Sequence, residues 1–352
     1  METSAYDYNL PDASIAQVPI APRHNARLLV DRGAQAPEHR IMRDLPELLS
    51  AGDLLVVNTT RVLPARLALQ KTTGGQAEVL LLHPLGDGSL YAAGSSQWMA
   101  LVRPGRRLAP GTKLFVPGLS EQQFFVEVGE STEDGQRVVS LFADQPLLDA
   151  LEVIGQMPLP PYITEKLDDA ERYQTVYAER PGSAAAPTAG LHFTDELLAD
   201  LTQKGIRRAD VELVVGLGTF KPISADHIED HVMHTERYSV PAETKVAIEE
   251  TKAQGGKVIA VGTTTVRALE SMAAFGRSEG ETNLYIHGDY NFAIVDRLIT
   301  NFHLPKSSLL VMIESFAGPR WRDLYQEALE NNYRFLSFGD AMLLTSRREV
   351  EA

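Results

Sequence analysis

The chain has 352 residues, 44% of them hydrophobic and 23% charged, and it carries a formal net charge of −14 at pH 7. This length allows about two ordinary domains, and the composition is typical of a globular protein and excludes a disordered one. The sequence contains no cysteine, which excludes disulfides, thiolate catalysis and cysteine-ligated metal centres. The acidic charge argues against non-specific coating of nucleic acid, but it is compatible with a local basic patch.

The amino-terminal sequence predicts neither export nor membrane insertion. The segment METSAYDYNLPDAS lacks the basic and apolar regions of a secretory signal. No uninterrupted apolar run approaches the ~20 residues that span a bilayer. We therefore expect a cytoplasmic protein that does not associate with membranes.

Residues 1–65 predict the first part of a main domain, and residues 66–150 predict a small β-barrel domain inserted into it. The amphipathic segment 42–50 leads to an apolar strand at 53–57. From residue 66 onward, short apolar runs alternate with turn signals at 86–88 and 133–135. Closely spaced strands with glycine turns are typical of a small barrel or sandwich.

Residues 151–352 predict the remainder of an α/β main domain. The segment 157–162 cannot form a regular helix, because its prolines lack amide donors, and it is interpreted as a linker. Helices and strands then alternate, which indicates a layered α/β/α domain with a mixed sheet. The predicted helices are 195–204, 242–254, 266–275 and 320–331, with Thr194 as the N-cap of the first, and the predicted strands are 209–215, 257–261 and 295–299.

The segment 258–271 is a strand, a turn and a helix that carries Arg267. Thr263, Thr264 and Thr265 occupy the turn, where free amides and hydroxyls suit a carboxylate or a phosphate. Capping threonines are common, so spacing alone favours a structural interpretation, with Arg267 in an ion pair.

Two histidines occupy loops that are candidates for acid–base chemistry. His192 follows Gly190 just before a predicted helix, and His303 follows Asn301 just after a predicted strand. A loop histidine is a plausible general base or acid, because its ordinary pKa lies near the working pH. A structural histidine that is bonded to backbone explains each pattern equally well.

Three further histidines, His227, His231 and His234, have the spacing of ligands on one helix face. Three imidazoles and a water can hold zinc. Pro222 and Pro241 flank the segment and argue against a continuous helix, and pairing with the local carboxylates is an equally good interpretation. A zinc-dependent hydrolase is therefore one alternative function.

The segment VGLGTF at 215–220 follows a predicted strand. It lacks the third glycine and the acidic residue of a dinucleotide fingerprint, so it is a weak cofactor signal. Its glycines still allow close backbone approach to a ligand.

Long ordered motifs resemble the S-adenosylmethionine:tRNA ribosyltransferase-isomerase family of queuosine biosynthesis. They are APTAGLHFT, EDHVMHTE, VGTTTVRALES and TNFHLPKSSL, together with LPDASIAQVPIAPRHNARLL, GDLLVVNTTRVLPARL, WMALVRPGRRL, IGQMPLPPYI, YQTVYAERPG and YRFLSFGDAML. The resemblance covers nearly the whole chain, and it implies an α/β main domain with a β-barrel insertion.

The resemblance also implies a reaction. The ribosyl unit of S-adenosylmethionine moves to 7-aminomethyl-7-deazaguanine at the tRNA wobble position and is isomerised, which gives epoxyqueuosine and releases adenine and methionine. S-adenosylmethionine is consumed as a substrate, so no cofactor is implied. The expected partners are tRNA and S-adenosylmethionine, and the expected state is a monomer. A non-catalytic RNA-binding protein is the second alternative, although such a reader is expected to be basic.

Site residues follow from matching the motifs. His192 and His303 are expected to share the roles of base and acid. The expected substrate-binding residues are Thr188, Gly190, Gly218, Thr219, Asp230, His231, His234, Glu236, Thr263, Thr264, Thr265, Arg267 and Asn301. The expected RNA-binding residues are Asn58, Arg61, Arg66, Tyr173 and Tyr177. The chain departs from the family pattern at Thr59, Val214, Leu217 and Glu314.

Overall fold

A computed structural model describes residues 1–86, 89–132, 135–216 and 221–351 of the chain, without the side chains of Arg106 and Glu351. The chain divides into two compact units. The α/β unit contains Met1–Arg61, Pro160–Arg180 and Ala186–Ala352, and the barrel unit contains Val62–Leu159 and Pro181–Ala185. The sequence predicted the inserted domain at 66–150. The insertion extends further because Leu63 donates its amide to the carbonyl of Ser183, at 3.0 Å.

The α/β unit is built on a mixed sheet that has nine strands within the described residues. In chain order they are β1 Arg27–Val30, β2 Glu38–Ile41, β3 Leu54–Asn58, β13 Arg207–Leu213, β14 Glu236–Ser239, β15 Val258–Val261, β16 Glu279–Thr282, β17 Arg297–Asn301 and β18 Ala341–Thr345. Their order across the sheet is β16-β14-β13-β3-β15-β17-β18-β1-β2. Strands β13, β3, β15 and β17 are parallel neighbours, so their carboxyl ends share one edge.

The central strands are apolar because both faces of the sheet are covered. Every residue of β3 and β15 is buried, the pattern expected of parallel strands between helical layers. The helices of the α/β unit are α1 Leu45–Leu48, α3 Asp195–Gln203, α4 Ala242–Ala253, α5 Thr263–Phe275, α6 Ser308–Ala317, α7 Trp321–Glu330 and α8 Arg347–Glu351. No helix among the described residues is long and apolar enough to cross a membrane.

Local signals explain where these helices begin and end. Thr194 accepts a hydrogen bond from the amide of Leu197 at 3.2 Å and caps α3, as the sequence predicted. Gly276 adopts a left-handed conformation with φ of 65° and ends α5, where a side chain would be strained. The threonines predicted as a turn form the first turn of α5 instead.

The barrel unit is antiparallel. Its elements are β5 Arg66–Gln70, β6 Gln76–Leu85, β7 Gly94–Arg103, β8 Thr112–Phe115, β9 Phe124–Ser131, β10 Arg137–Ala143, β11 Gly155–Gln156 and the helix α2 Leu147–Ile154. In the described part of this unit, six strands close a barrel in the order β5-β6-β7-β10-β9-β8, because β8 pairs back onto β5. Two connecting strands, β4 Thr60–Val62 and β12 Arg180–Ser183, pair separately. The predicted fold class is therefore confirmed.

Candidate active site

A cavity of about 50 Å³ lies at the carboxyl edge of the parallel strands. Val215 follows β13, Gly262 follows β15, and Thr300 and Asn301 end β17, and all of them line the cavity. The other lining residues that carry side-chain hydroxyl, amide or imidazole groups are Tyr162, Thr188, Thr263, Thr264, His303, Ser307 and Ser337. In open α/β sheets, ligands bind at this edge, outside the carboxyl ends of the strands.

The first turn of α5 presents polar groups to the cavity. Gly262, with φ of 86°, makes the turn from β15 into the helix, a conformation that favours glycine. Thr265 donates its hydroxyl to the carbonyl of Val261 at 2.7 Å and is used within the helix. Thr264 is 9% exposed, and its hydroxyl has no hydrogen-bond partner among the described residues. That hydroxyl and the first amides of α5 are available to a ligand acceptor.

A second helix begins at the same cavity. Ser307 caps α6 by accepting a hydrogen bond from the amide of Leu310 at 3.2 Å, and Ser307 lines the cavity. The amino-terminal ends of α5 and α6 both carry partial positive charge. Together they favour an anionic group in the cavity, such as a carboxylate.

α5 is tied to the segment that leads into the amino end of β17. The buried carboxylate of Glu270 accepts hydrogen bonds from the amides of Ala293, Ile294 and Val295 at 2.9, 3.0 and 3.1 Å. Burial raises the pKa of Glu270, although these bonds oppose the shift. Hydrogen bonds therefore link α5 to the chain segment that precedes β17, and α5 and β17 both contribute residues to the cavity wall.

His303 lines the cavity, and its backbone is hydrogen-bonded to the hydroxyl groups of two tyrosines. Its amide donates to the hydroxyl of Tyr325 at 2.9 Å, and its carbonyl accepts from Tyr8. Its ring Nε2 lies 2.9 Å from the hydroxyl of Thr300. Burial lowers the pKa of His303 to about 3, so the ring is neutral near pH 7. If Nε2 donates to Thr300, Nδ1 keeps a lone pair and can accept a proton.

His192 lies behind the cavity wall and contacts it through Asn301. The Asn301 amide donates to Nε2 of His192 at 3.0 Å and to the carbonyl of Asp340 at 3.3 Å, and its oxygen accepts from Thr188 at 3.0 Å. Burial, assisted by Arg334 and Arg23, lowers the pKa of His192 to about 3. His192 thus orients Asn301 and is not among the residues that line the cavity.

Arg267 and Glu236 form a buried ion pair beside a second cavity of about 20 Å³. Glu236 also accepts the amide of Gly216 at 3.0 Å, and Arg267 donates to the carbonyl of His234 at 3.5 Å. The ion pair that the sequence offered for Arg267 is present, and a substrate-binding role for Arg267 and Glu236 stays a prediction. Each charge is offset by the other, so neither side chain meets a ligand as an unpaired ion.

The histidines of the proposed zinc site are not assembled into one. His227 and His231 flank the 3-10 turn Ile228–Asp230, and His234 lies in an irregular segment, so the three histidines do not share a helix. His231 packs against the ring of Tyr285 with 5.3 Å between ring centroids. Within the described ranges, no group of three or more histidine, aspartate or glutamate side chains is placed to hold a metal. Asp230 is exposed and does not line either cavity.

Three predicted RNA contacts need correction, because the structure buries them. Asn58 is 0% exposed, and its amide group binds the backbone of Leu213. Tyr173 and Tyr177 are 0% and 4% exposed, so neither ring can stack on a base. Gly190 explains part of this packing: a Cβ there would lie 2.2 Å from the Tyr177 hydroxyl.

The two arginines that were predicted to bind RNA have partners within the protein, and so do three of the residues at which the chain departs from the family pattern. Arg61 pairs with Glu171, and Arg66 donates to the carbonyl of Leu159 at 3.5 Å. Glu314 pairs with Arg322 at 3.2 Å and accepts from Tyr6. The backbone amide of Val214 donates to the carbonyl of Arg237, and the hydroxyl of Thr59 donates to the carbonyl of Val211. Leu217, Gly218 and Thr219 lie outside the described residues.

The structure adds polar residues to the site that sequence reasoning did not assign. Thr300 contacts His303, and Tyr162 contacts Ser337 at 2.7 Å within the cavity wall. Thr300 lies at the end of a strand, three residues before His303. This position in the sequence could have identified Thr300 as a site residue. Nothing local marks Tyr162 and Ser337, because they reach the cavity only through the tertiary fold.

The fold and the cavity define an α/β protein with a cavity at the carboxyl edge of a mixed sheet, lined in part by polar side chains and by a histidine that burial keeps neutral near pH 7. A family model described as a queuosine biosynthesis protein matches residues 3–344. Relatives named S-adenosylmethionine:tRNA ribosyltransferase-isomerase are 49% identical in Heliobacterium modesticaldum and 46% identical in Thermotoga maritima. Each alignment covers 98% of this chain and 100% of the relative.

A solved structure gives the same result. The crystal structure of S-adenosylmethionine tRNA ribosyltransferase from Thermotoga maritima matches with a TM-score of 0.53 and 37% identity, over 96% of this chain and 99% of that one. The chain therefore belongs to the S-adenosylmethionine:tRNA ribosyltransferase-isomerase family of queuosine biosynthesis, whose members are enzymes of the transferase class. The non-catalytic alternative is not supported.

Proposed function

We propose that this enzyme transfers the ribosyl moiety of S-adenosylmethionine to 7-aminomethyl-7-deazaguanine at the wobble position of tRNA and isomerises it. The products are epoxyqueuosine, adenine and methionine. The observation that carries the proposal is the full-length similarity to relatives named for this transfer and isomerisation. The cavity at the carboxyl edge supports it, because its groups suit the parts of S-adenosylmethionine.

The methionine carboxylate fits the first turn of α5. The amides of this turn and the buried hydroxyl of Thr264, which has no partner among the described residues, together offer hydrogen-bond donors and positive potential. Thr263 lines the same wall. The chain is acidic overall, and this favours a sulfonium-bearing substrate and an aminomethyl-bearing base by charge complementarity.

His303 is the candidate base. The carbon 5′ of S-adenosylmethionine is acidified by the adjacent sulfonium, and its proton passes to Nδ1 of His303, which leaves an ylide. Burial makes the resulting imidazolium a strong acid, so it returns that proton to adenine as the bond between adenine and ribose breaks. One side chain then serves both steps, with no net change in its protonation.

His192 is a positioning residue in this scheme. Its ring accepts the Asn301 amide, and this fixes the Asn301 oxygen toward Thr188 at the cavity wall. Substitution of His192 is therefore expected to change the KM for S-adenosylmethionine more than kcat. Substitution of His303 is expected to do the opposite.

The test uses purified protein, S-adenosylmethionine and tRNA that carries 7-aminomethyl-7-deazaguanine, in the presence of a metal chelator. Digested nucleosides and released adenine are measured by mass spectrometry. We expect epoxyqueuosine and adenine in equal amounts, and neither with tRNA that carries guanine at the wobble position. Adenine release without nucleoside modification, or no product with the modified tRNA, would contradict the proposal.

A further inference from the structure

Three arginines converge beside His192, on the side away from the ligand cavity. Arg23, Arg172 and His192 line one small cavity of about 10 Å³. The charges of Arg23 and Arg334 both act on His192, and the charge of Arg172 acts on Arg23. We call Arg23, Arg172 and Arg334 the arginine cluster.

The arginine cluster is held by backbone carbonyls. The acceptors are Gln174, Glu171 and Leu191 for Arg23, Ile20 for Arg172 and Val18 for Arg334, at 2.5 to 3.4 Å. All three side chains are partly exposed. The carbonyls fix the positions of the three guanidinium groups but do not neutralise their charge.

None of the three arginines forms an ion pair with a carboxylate in the part of the chain that the structure describes. Glu171, the acidic side chain nearest in sequence to Arg172, pairs with Arg61 instead. Nε of Arg172 and one Nη of Arg334 are buried and lack a hydrogen-bond acceptor among the described residues, so a ligand at the surface can meet only the other, partly exposed atoms of these guanidinium groups. No direct ion pair offsets these three charges within the described residues. The carboxylates of Asp169 and Glu171 act on Arg23 from nearby, and the carboxylate of Asp340 interacts with Arg334.

The chemistry of the arginine cluster fits a phosphate group at the surface. A guanidinium presents a planar fork of donors that matches phosphate oxygens. The three side chains are partly exposed, so an anion that belongs to a larger molecule can approach them from solvent. Ser337 lines both the small cavity at His192 and the ligand cavity. An RNA strand whose base enters the ligand cavity can therefore place its backbone beside the arginine cluster.

We propose that the arginine cluster binds a backbone phosphate of the tRNA substrate. This inference rests on the proposed function, because it assumes that the anion is RNA. We therefore assign the RNA contact of the α/β unit to the arginine cluster, and no longer to the buried tyrosines Tyr173 and Tyr177. Phosphate contacts of this kind set affinity and register rather than base specificity.

The test compares Arg172→Gln and Arg334→Gln with the unmodified chain. Arg23 is left unchanged because it holds three carbonyls. Arg207→Gln is the matched control: it removes the same charge, but from an arginine that already pairs with Glu250 at 2.7 Å. Affinity for the tRNA is measured by fluorescence anisotropy over a series of salt concentrations, and thermal melts verify that each variant is folded.

We expect each cluster variant to lower tRNA affinity by about fivefold and to reduce the slope of log affinity against log salt by about 0.7 to 0.9. Arg207→Gln leaves both unchanged. Folded cluster variants that match the control would overturn the proposal, even if the enzyme forms epoxyqueuosine. Conversely, arginine-dependent binding without any product would leave this site standing and remove the proposed function.

Discussion

The two edges of the main sheet differ in how they use their polar groups. At the amino edge, the buried carboxylate of Asp53 accepts the amides of Ser50 and Lys257, each at 2.9 Å. At the carboxyl edge, the buried hydroxyl of Thr264 has no partner among the described residues. The amino edge has the larger depression, about 330 Å³ against about 50 Å³. Volume therefore does not mark the site, and neither does an unpartnered buried polar atom taken alone, because Nε of Arg297 in the wall of the larger depression also lacks an acceptor among the described residues.

On the proposed function, the comparison assigns stability to the amino edge and chemistry to the carboxyl edge. A buried carboxylate with two backbone donors stabilises the fold, since removing it leaves both donors unsatisfied. A buried hydroxyl without a partner costs stability, and a ligand that accepts its hydrogen bond compensates for the cost. Substitutions at the two edges should thus separate stability from activity.

The largest expected effect is at His303. His303→Ala removes the group that faces the cavity, so we expect kcat for epoxyqueuosine formation to fall by about 10² to 10⁴. Binding of S-adenosylmethionine, measured by calorimetry, should change little. His39→Gln is the control, because His39 pairs with Glu327 and does not line the cavity. Equal activity in His303→Ala would show that another group is the base.

At the amino edge, Asp53→Ala should destabilise the protein without changing its chemistry. Loss of two hydrogen bonds to a buried carboxylate is expected to lower the free energy of unfolding by about 3 kcal/mol. Chemical denaturation gives this value, and turnover per folded molecule should be preserved. Asp12→Ala, at an exposed position, serves as the control. Lost turnover in folded Asp53→Ala would break the separation of the edges.

Stability should also depend on pH through the two buried histidines. The folded pKa values of His192 and His303 are about 3, below the ordinary value of 6.5. Between these values the unfolded chain binds more protons, so stability is complete above about pH 6.5 and is lost as pH falls toward 3. The slope is at most about 1.4 kcal/mol per pH unit for each histidine.

The measurement is denaturant unfolding at about pH 7.5 and about pH 5.5, with His303→Gln beside the unmodified chain. The variant should lose less stability on acidification, because one neutral buried imidazole is gone. Identical slopes would mean that His303 is accessible to protons in the folded protein.

The smallest expected effect distinguishes neighbouring threonines on α5. Thr264→Val should weaken S-adenosylmethionine binding by about fivefold, because it removes one uncharged donor to the ligand. It should raise the stability of the free protein slightly, because the buried hydroxyl has no partner to lose. Thr265→Val is the matched variant. It should cost about 1 kcal/mol of stability, because its hydroxyl binds Val261, and leave binding nearly unchanged. The reverse pattern would place the ligand elsewhere.

Much of this architecture follows from the sequence, because local patterns determine it. The apolar run at 53–57 predicts a buried strand, which the structure places at Leu54–Asn58, and Thr194 predicts the start of α3. The helix Ser308–Ala317 was missed, because its sequence SLLVMIESFA is apolar on nearly every side and shows no helical periodicity.

The site was less predictable than the fold. His303 and Thr264 follow strands, so the sequence pointed to both, and both line the cavity. Tyr173 and Tyr177 were expected to stack on RNA, but aromatic residues in a motif fit the core as well as a surface. The arginine cluster joins residues from three distant segments, so only the tertiary structure brings it together.

The most direct test of the account is a crystal structure with S-adenosylmethionine bound. We expect the methionine carboxylate at the first turn of α5, against Thr263 and Thr264, and carbon 5′ within about 3.5 Å of Nδ1 of His303. Ligand density at the amino edge, or a carbon 5′ out of reach of His303, would contradict the assignment of chemistry to the carboxyl edge.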